Sequence, residues 1–237
     1  DSQSWCDVKY MGSKNRHAKY ILPIILADRK PYQLYIEPFA GGMNTIDKVS
    51  GSRLANDIHP YLIDMWIGIL YQDWNPPLYV SEDLYMHIKE NPNNYESKLV
   101  GYVGFNSYGG KWFGGYCRDS ANKRDYWKEY YNNIQRQRIK MLGVSLSCKS
   151  YLDIDIPDNS VVYCDPPYFG TTAYDAKFNH NQFWDWAWNI SKKNQVFVSE
   201  YNAPDNFECL WERKVNNTLV KNTGSKQGTE KLFRSKR

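Results

Sequence analysis

The chain has 237 residues and a formal charge of +4, enough length for one catalytic domain with a subdomain, and too little net charge to bind nucleic acid except through local clustering. Five cysteines, Cys6, Cys117, Cys148, Cys164 and Cys209, form no C-x-x-C pair, which argues against a disulfide framework or zinc site and for reduced thiols inside a cell. No apolar run approaches the roughly 20 residues of a membrane span, no signal-peptide pattern opens the chain, and His17, His59, His87 and His180 lack metal-ligand spacing.

Periodicity predicts a helix from about Lys14 to Ala27 and a strand over Gln33 to Glu37. That strand breaks into Pro38-Phe-Ala-Gly-Gly42, a glycine-rich turn, with a helical stretch expected around 43–50. In an open α/β sheet the ligand lies beyond the carboxyl end of a strand, where glycines permit close backbone approach, so this turn reads as a cofactor loop. It is not the dinucleotide fingerprint, because no G-x-G-x-x-G follows the strand. A strand over Arg53 to Asn56 ends at Asp57, placed to accept hydrogen bonds from two ribose hydroxyls. The same side chain serves equally well as a cap for the apolar helix predicted from Pro60 to Tyr71.

Asn75-Pro-Pro77 marks a boundary. Helical stretches around Ser81–Glu90 and Asn94–Val103 then lead into Phe105-Asn-Ser-Tyr-Gly-Gly-Lys-Trp-Phe-Gly-Gly-Tyr116. This segment alternates glycines and aromatics with Lys111, so it can approach a backbone closely and offer rings to unstacked bases; folded inward, it is a plain surface loop. A charged helix follows over Asp125 to Lys140, where Lys123, Arg124, Lys128, Arg136, Arg138 and Lys140 outnumber Asp125 and Glu129 by four. That excess suits a nucleic-acid backbone, and also a solvated helix face.

Strands over Val144–Cys148 and Val161–Cys164, a long loop, a helix over Asn181–Ser191 and a strand over Gln195–Ser199 resume the sheet. The tail from about Cys209 to Phe233 reads as paired strands with a turn at Gly224–Gly228, carrying Lys214, Lys221, Lys226, Lys231 and Arg234 as phosphate contacts.

The strand at 161–164 runs into Asp165-Pro166-Pro167-Tyr168. An exocyclic aromatic amine is a poor nucleophile while its lone pair is conjugated with the ring. The Asp165 carboxylate and the Pro166 carbonyl can each take one of its N–H groups and draw the nitrogen out of plane. Pro166 and Pro167 fix the backbone and remove two donors, so the turn stays open. Tyr168 adds a flat ring on which a base can stack. Without a substrate the tetrapeptide is simply an Asp-Pro turn at a strand end.

With these residues together, the chain resembles the Dam family of DNA adenine-N6 methyltransferases, bacteriophage and viral members included. Four segments match in order: Lys9-Tyr-Met-Gly-Ser-Lys14, Glu37 to Gly42, Asp57, and Asp165 to Tyr168. Tyr174, Phe178 and Ser199-Glu-Tyr-Asn202 resemble later family elements. The resemblance implies a Rossmann-like sheet that binds S-adenosylmethionine through Tyr10, Lys14, Glu37, Pro38, Phe39, Gly41, Gly42, Asp57 and Asp165. It implies a catalytic domain of residues 1–74 and 143–237 and a mostly helical recognition insert of residues 75–142. On DNA it assigns Phe105 to the gap left by a flipped base, Asn106 to the recognition site and Lys9 to the first guanine of GATC. Lys111, Arg124, Arg136, Arg138 and Lys221 would contact the duplex. The expected activity is methylation of adenine N6 in double-stranded DNA inside a cell, without metal, by a monomer or by a dimer on DNA.

The chain departs from the pattern in three ways. Met43 stands where many members continue the glycines, Tyr10 replaces a tryptophan of some relatives, and no arginine of the insert matches the one that reads a guanine in GATC-specific members. Methylation of cytosine N4 or of a glutamine side chain uses a similar turn. A DNA-binding module without transfer activity is the alternative outside enzymes.

Overall fold

Tyr35, Val161 and Phe197 belong to one buried cluster, whereas Ile36, Val162 and Val198, their neighbours along the strands, belong to another. Alternate strand residues point to opposite faces, so a sheet whose two faces are both buried needs cover on each. The computed structural model describes residues 15–118, 124–168, 178–215 and 228–237. Its strands are β1 (Tyr35–Glu37), β2 (Arg53–Asn56), β3 (Val144–Ser147), β4 (Val161–Cys164), β5 (Gln195–Glu200), β6 (Phe207–Val215) and β7 (Gly228–Ser235). They form one sheet in the order β3-β2-β1-β4-β5-β7-β6. The five strands from β3 to β5 pair in parallel, and β7 runs antiparallel between β5 and β6. This is the Rossmann-like, mixed α/β sheet expected from the sequence.

The helices are α1 (Asn15–Ile25), α2 (Pro60–Tyr71), α3 (Glu82–Glu90), α4 (Ser97–Phe105), α5 (Tyr126–Met141) and α6 (His180–Ile190). Ala18, Ile21, Leu22 and Ile25 form the inward stripe of α1, and Leu62, Ile63, Met65, Trp66 and Ile69 of α2 are buried in the same cluster. On the other face Phe183 and Ala187 of α6 meet Ile36, Val162 and Val198. Tyr85 of α3, Val103 of α4 and Ile134 of α5 lie in the first cluster with the sheet residues. At Gly101 of α4 an added Cβ would sit 2.0 Å from the Tyr61 carbonyl oxygen, so only glycine allows α4 to back onto α2 this closely.

The helix expected around 43–50 is reduced to a single turn at Ile46–Lys48. Met43 takes a φ of 59°, the left-handed region that no α-helical residue occupies. The helix expected from Asn94 starts at Ser97, because Pro92–Asn94 forms a separate turn. In the tail β6 and β7 pair antiparallel, while residues 224–227 of the expected turn lie outside the described residues.

Candidate active site

Strand β1 has β2 on one side and β4 on the other, and the chain leaves β1 toward β2 but leaves β4 toward β5. Loops departing in opposite directions leave a crevice at the carboxyl ends, the usual ligand site of an open α/β sheet. Three carboxylates stand at that edge: Glu37 ends β1, Asp57 follows β2, and Asp165 follows β4.

Glu37 is buried and accepts a hydrogen bond from the Tyr35 hydroxyl at 2.8 Å. Burial pushes its carboxyl well above the ordinary range, and the negative charges of Asp47 and Asp165 add to the shift. Such a site favours a cationic ligand, whose charge would offset the cost of the buried anions.

The loop after β1 is held at each step. The Pro38 carbonyl accepts from Asn56 Nδ2 at 3.0 Å, and the Ala40 N–H donates to the Asn56 carbonyl at 2.8 Å. The Gly41 N–H donates to Asp57 Oδ2 and the His59 N–H to Asp57 Oδ1, both at 2.9 Å. Beneath them Gln137 Nε2, wholly buried on α5, donates to the Gly42 carbonyl at 3.0 Å. Asp57 therefore braces the loop and the start of α2 together. Burial raises its pKa, and the backbone N–H groups of His59, Gly41 and Ile58 pull it back. A carboxylate has about four lone-pair positions, so these contacts leave room for a ligand hydroxyl. Beside it Ile58 is 71% exposed.

After β4, Pro166 and Tyr168 are buried and Asp165 is half-buried. Asp165 lies near enough for its charge to raise the pKa of Glu37, Tyr163, Cys164 and Tyr168. The Tyr168 hydroxyl donates to Glu230 Oε2 of β7 at 2.7 Å. Its ring stands nearly perpendicular to that of Tyr201, with centroids 4.7 Å apart. Phe39, half-buried, packs on Tyr151, Phe178 and Phe183.

The expected DNA contacts divide. Phe105 is only 2% exposed, packed against His59 and Trp112 at centroid distances of 4.9 and 4.8 Å, so the structure puts this ring in the core instead of offering it to a base stack. The exposed ring of that loop is Tyr108, at 69%. Asn106 is buried, and its Nδ2 meets no hydrogen-bond partner among the described residues. Lys111 is exposed. Arg124 pairs with Glu129 at 2.7 Å. Arg136 is exposed and bonds Asn133. Arg138 faces Asp73 at 3.5 Å. The carboxyl end of α5 sits beside Arg53, the first residue of β2, whose guanidinium donates to the carbonyls of Lys140 and Leu142. Those two carbonyls lie at the amino-terminal end of β2, whereas the Lys140 ammonium reaches Asp47 at 3.9 Å. Lys9, Tyr10, Lys14, Tyr174 and Lys221 lie outside the described residues.

The sequence reading missed Ile58, Gln137 and Glu230. Ile58 had a signal, an apolar residue following the acid at a strand's carboxyl end. Gln137 and Glu230 had none, because each reaches the site through packing between distant segments. Among the described residues no group of three or more His, Cys, Asp or Glu side chains could hold a metal, and no helix is long and apolar enough to cross a membrane.

The family model described as D12 class N6 adenine-specific DNA methyltransferase matches residues 10–195. Among solved structures, the tRNA (m1A58) methyltransferase TrmI from Aquifex aeolicus is 8% identical, with a TM-score of 0.41 over 98% of this chain and 72% of its own. A putative class I S-adenosylmethionine-dependent methyltransferase from Listeria monocytogenes is 12% identical, with a TM-score of 0.41 over 97% of this chain and 62% of its own. SMU.472, a putative methyltransferase complexed with SAH, is 11% identical, with a TM-score of 0.38; this chain spans 99% of its own length and 55% of that protein.

Proposed function

Since the chain belongs to the D12 class N6 adenine-specific DNA methyltransferase family, we propose that it methylates adenine N6 in duplex DNA, with Asp165-Pro166-Pro167-Tyr168 receiving a base turned out of the helix. The observation that carries this reading is the meeting of that tetrapeptide with the loop from Glu37 to Gly42 at the divergence of β1 and β4.

The methyl group would come from S-adenosylmethionine, whose sulfonium makes it open to direct displacement by the amine. The residues present fit that cofactor. Glu37, in a buried and electronegative setting, suits its cationic groups, and Asp57 retains acceptor capacity for a ribose hydroxyl. The exposed Ile58 supplies an apolar face for the adenine ring. On the substrate side Asp165 and the Pro166 carbonyl hold the two amine protons, and Tyr168 stacks on the base. The reaction then rests on alignment and exclusion of water, both supplied by a rigid, largely buried loop. Asp165 can also take up the proton that the amine sheds after transfer.

For recognition we assign the segment 75–142, with Tyr108 and Lys111 as its exposed probes, and Lys9 from the amino-terminal segment. GATC is the first duplex to test. Incubation with methyl-labelled S-adenosylmethionine and unmethylated duplexes, followed by nucleoside analysis, should give N6-methyl-2′-deoxyadenosine. Asp165→Ala should lower turnover by about 10²-fold or more, as expected on removing a preorganised contact, while cofactor binding persists. Label in cytosine, or undiminished transfer by the variant, would refute the reading.

A further inference from the structure

We propose that Glu230 is a positioning residue for the catalytic loop: from β7 its carboxylate fixes the ring of Tyr168, and so sets the surface against which the target base rests. This rests on the reading of Tyr168 as the base platform.

The register explains how a residue so near the end of the chain reaches the site. Glu200, the last residue of β5, pairs with Lys231 of the antiparallel β7. Glu230 therefore extends one residue beyond the carboxyl end of β5, onto the edge where the loop after β4 lies. Strand alternation puts it on the same face as Leu232, two residues on, which packs in the first core with Tyr163 of β4. From there Glu230 Oε2 accepts the Tyr168 hydroxyl at 2.7 Å, a charge-assisted contact in a setting where Tyr168 is only 9% exposed.

A tyrosine ring turns about two side-chain torsions. Anchoring Cα behind Pro166 and Pro167 leaves both free, but a hydrogen bond at the far oxygen restrains them together. The ring is then held against the perpendicular ring of Tyr201, 4.7 Å away. Glu230 need not touch substrate or cofactor to matter, because misplacing a positioned group by about 1 Å can cost as much as 10²-fold in rate. The hairpin of β6 and β7 thereby acts on the catalytic loop.

The test uses E230A, E230Q, Y168F and the double variant E230A/Y168F in the full chain. E230A and Y168F should each lower kcat by about tenfold to 10²-fold while the Kd for S-adenosylmethionine stays unchanged. E230Q, whose amide oxygen still accepts the hydroxyl, should remain near the parent, and the double variant should be no slower than either single one. A second readout needs neither cofactor nor DNA: 3-fluorotyrosine placed at position 168 gives one fluorine resonance, expected to shift in E230A and to stay in place in E230Q. Parental turnover in E230A, additive losses in the double variant, or an unmoved resonance in E230A would each overturn the proposal. If the parent transfers no methyl group to DNA, the function proposed above falls, and the resonance still decides whether Glu230 holds Tyr168.

Discussion

Gln137 donates its side-chain N–H to the carbonyl of Gly42 at 3.0 Å, joining the middle of α5 to the turn where the cofactor is proposed to bind. A second contact, to Asn44 Oδ1 at 3.3 Å, ties the same amide to the next part of the loop. Gln137→Leu keeps the volume and leaves the buried Gly42 carbonyl without that donor. Stability should fall by about 1–3 kcal/mol, the cost of an unsatisfied buried polar group. Calorimetry should show weaker S-adenosylmethionine binding. Unchanged cofactor affinity in a destabilised variant would make Gln137 a support of the fold alone.

Asp57→Ala removes both the brace on Gly41 and the acceptor proposed for the ribose. Cofactor binding should weaken by about 1.5–3 kcal/mol, the range for a hydrogen bond to a charged group. Asp57→Asn should also bind poorly, because turning an amide N–H toward Gly41 or His59 sets donor against donor. DNA affinity measured by anisotropy should barely change. Full cofactor affinity in both variants would leave Asp57 as only the anchor of α2.

The burial of Phe105 and the exposure of Tyr108 make opposite predictions for two aromatics three residues apart. Phe105→Ala should cost about 3–5 kcal/mol of stability, as for other buried phenylalanines, and slow paired and mispaired substrates alike. Tyr108→Ala should leave the denaturation midpoint in place and weaken DNA binding. A stable Phe105→Ala protein that is slow only on paired targets would restore Phe105 as an inserted ring.

His59 should make stability depend on pH. Its ring packs edge-on against both Phe105 and Trp112, and burial lowers its pKa from 6.5 to about 4. Between those values the unfolded chain binds the proton and the folded chain does not. The contribution is therefore complete above about pH 6.5 and is lost as pH falls toward 4. It is about 3 kcal/mol at most, before screening at its exposed edge. Urea midpoints across this range should fall with pH, and His59→Phe should flatten the slope. Equal slopes in both proteins would remove His59 as the cause.

The bounds of β2, α2 and β4 coincide with the sequence reading because each has a physical stop. Asp57 ends β2, Pro60 fits the first helical turn of α2, and Pro166 cannot continue β4. The positions of the tetrapeptide after β4 and of the glycine turn after β1 were legible for the same reason, since strand ends and turn residues are local. The departure at Met43 has a conformational meaning that sequence alone did not supply: its φ of 59° is one that glycine adopts without strain. Aromatics from 105 to 116 could not be sorted into buried and exposed, because a loop has no period from which to read a face. The partnership of Glu230 with Tyr168 needed the register of β7 on β5, which no local pattern encodes.

The closeness of α4 to α2 at Gly101 bears on how this protein could be re-engineered or could diverge. A chimera cut at the ends of segment 75–142 would bring in a foreign α4 whose residue at this contact meets the Tyr61 carbonyl, with space for no side-chain carbon at all. Exchanging segment 75–142 would therefore require the matching α2 to travel with α4, across the start of the helix that Asp57 anchors. The recognition proposed for this segment is more open to change through exposed side chains between 107 and 118, one at a time, leaving the helices that carry them untouched.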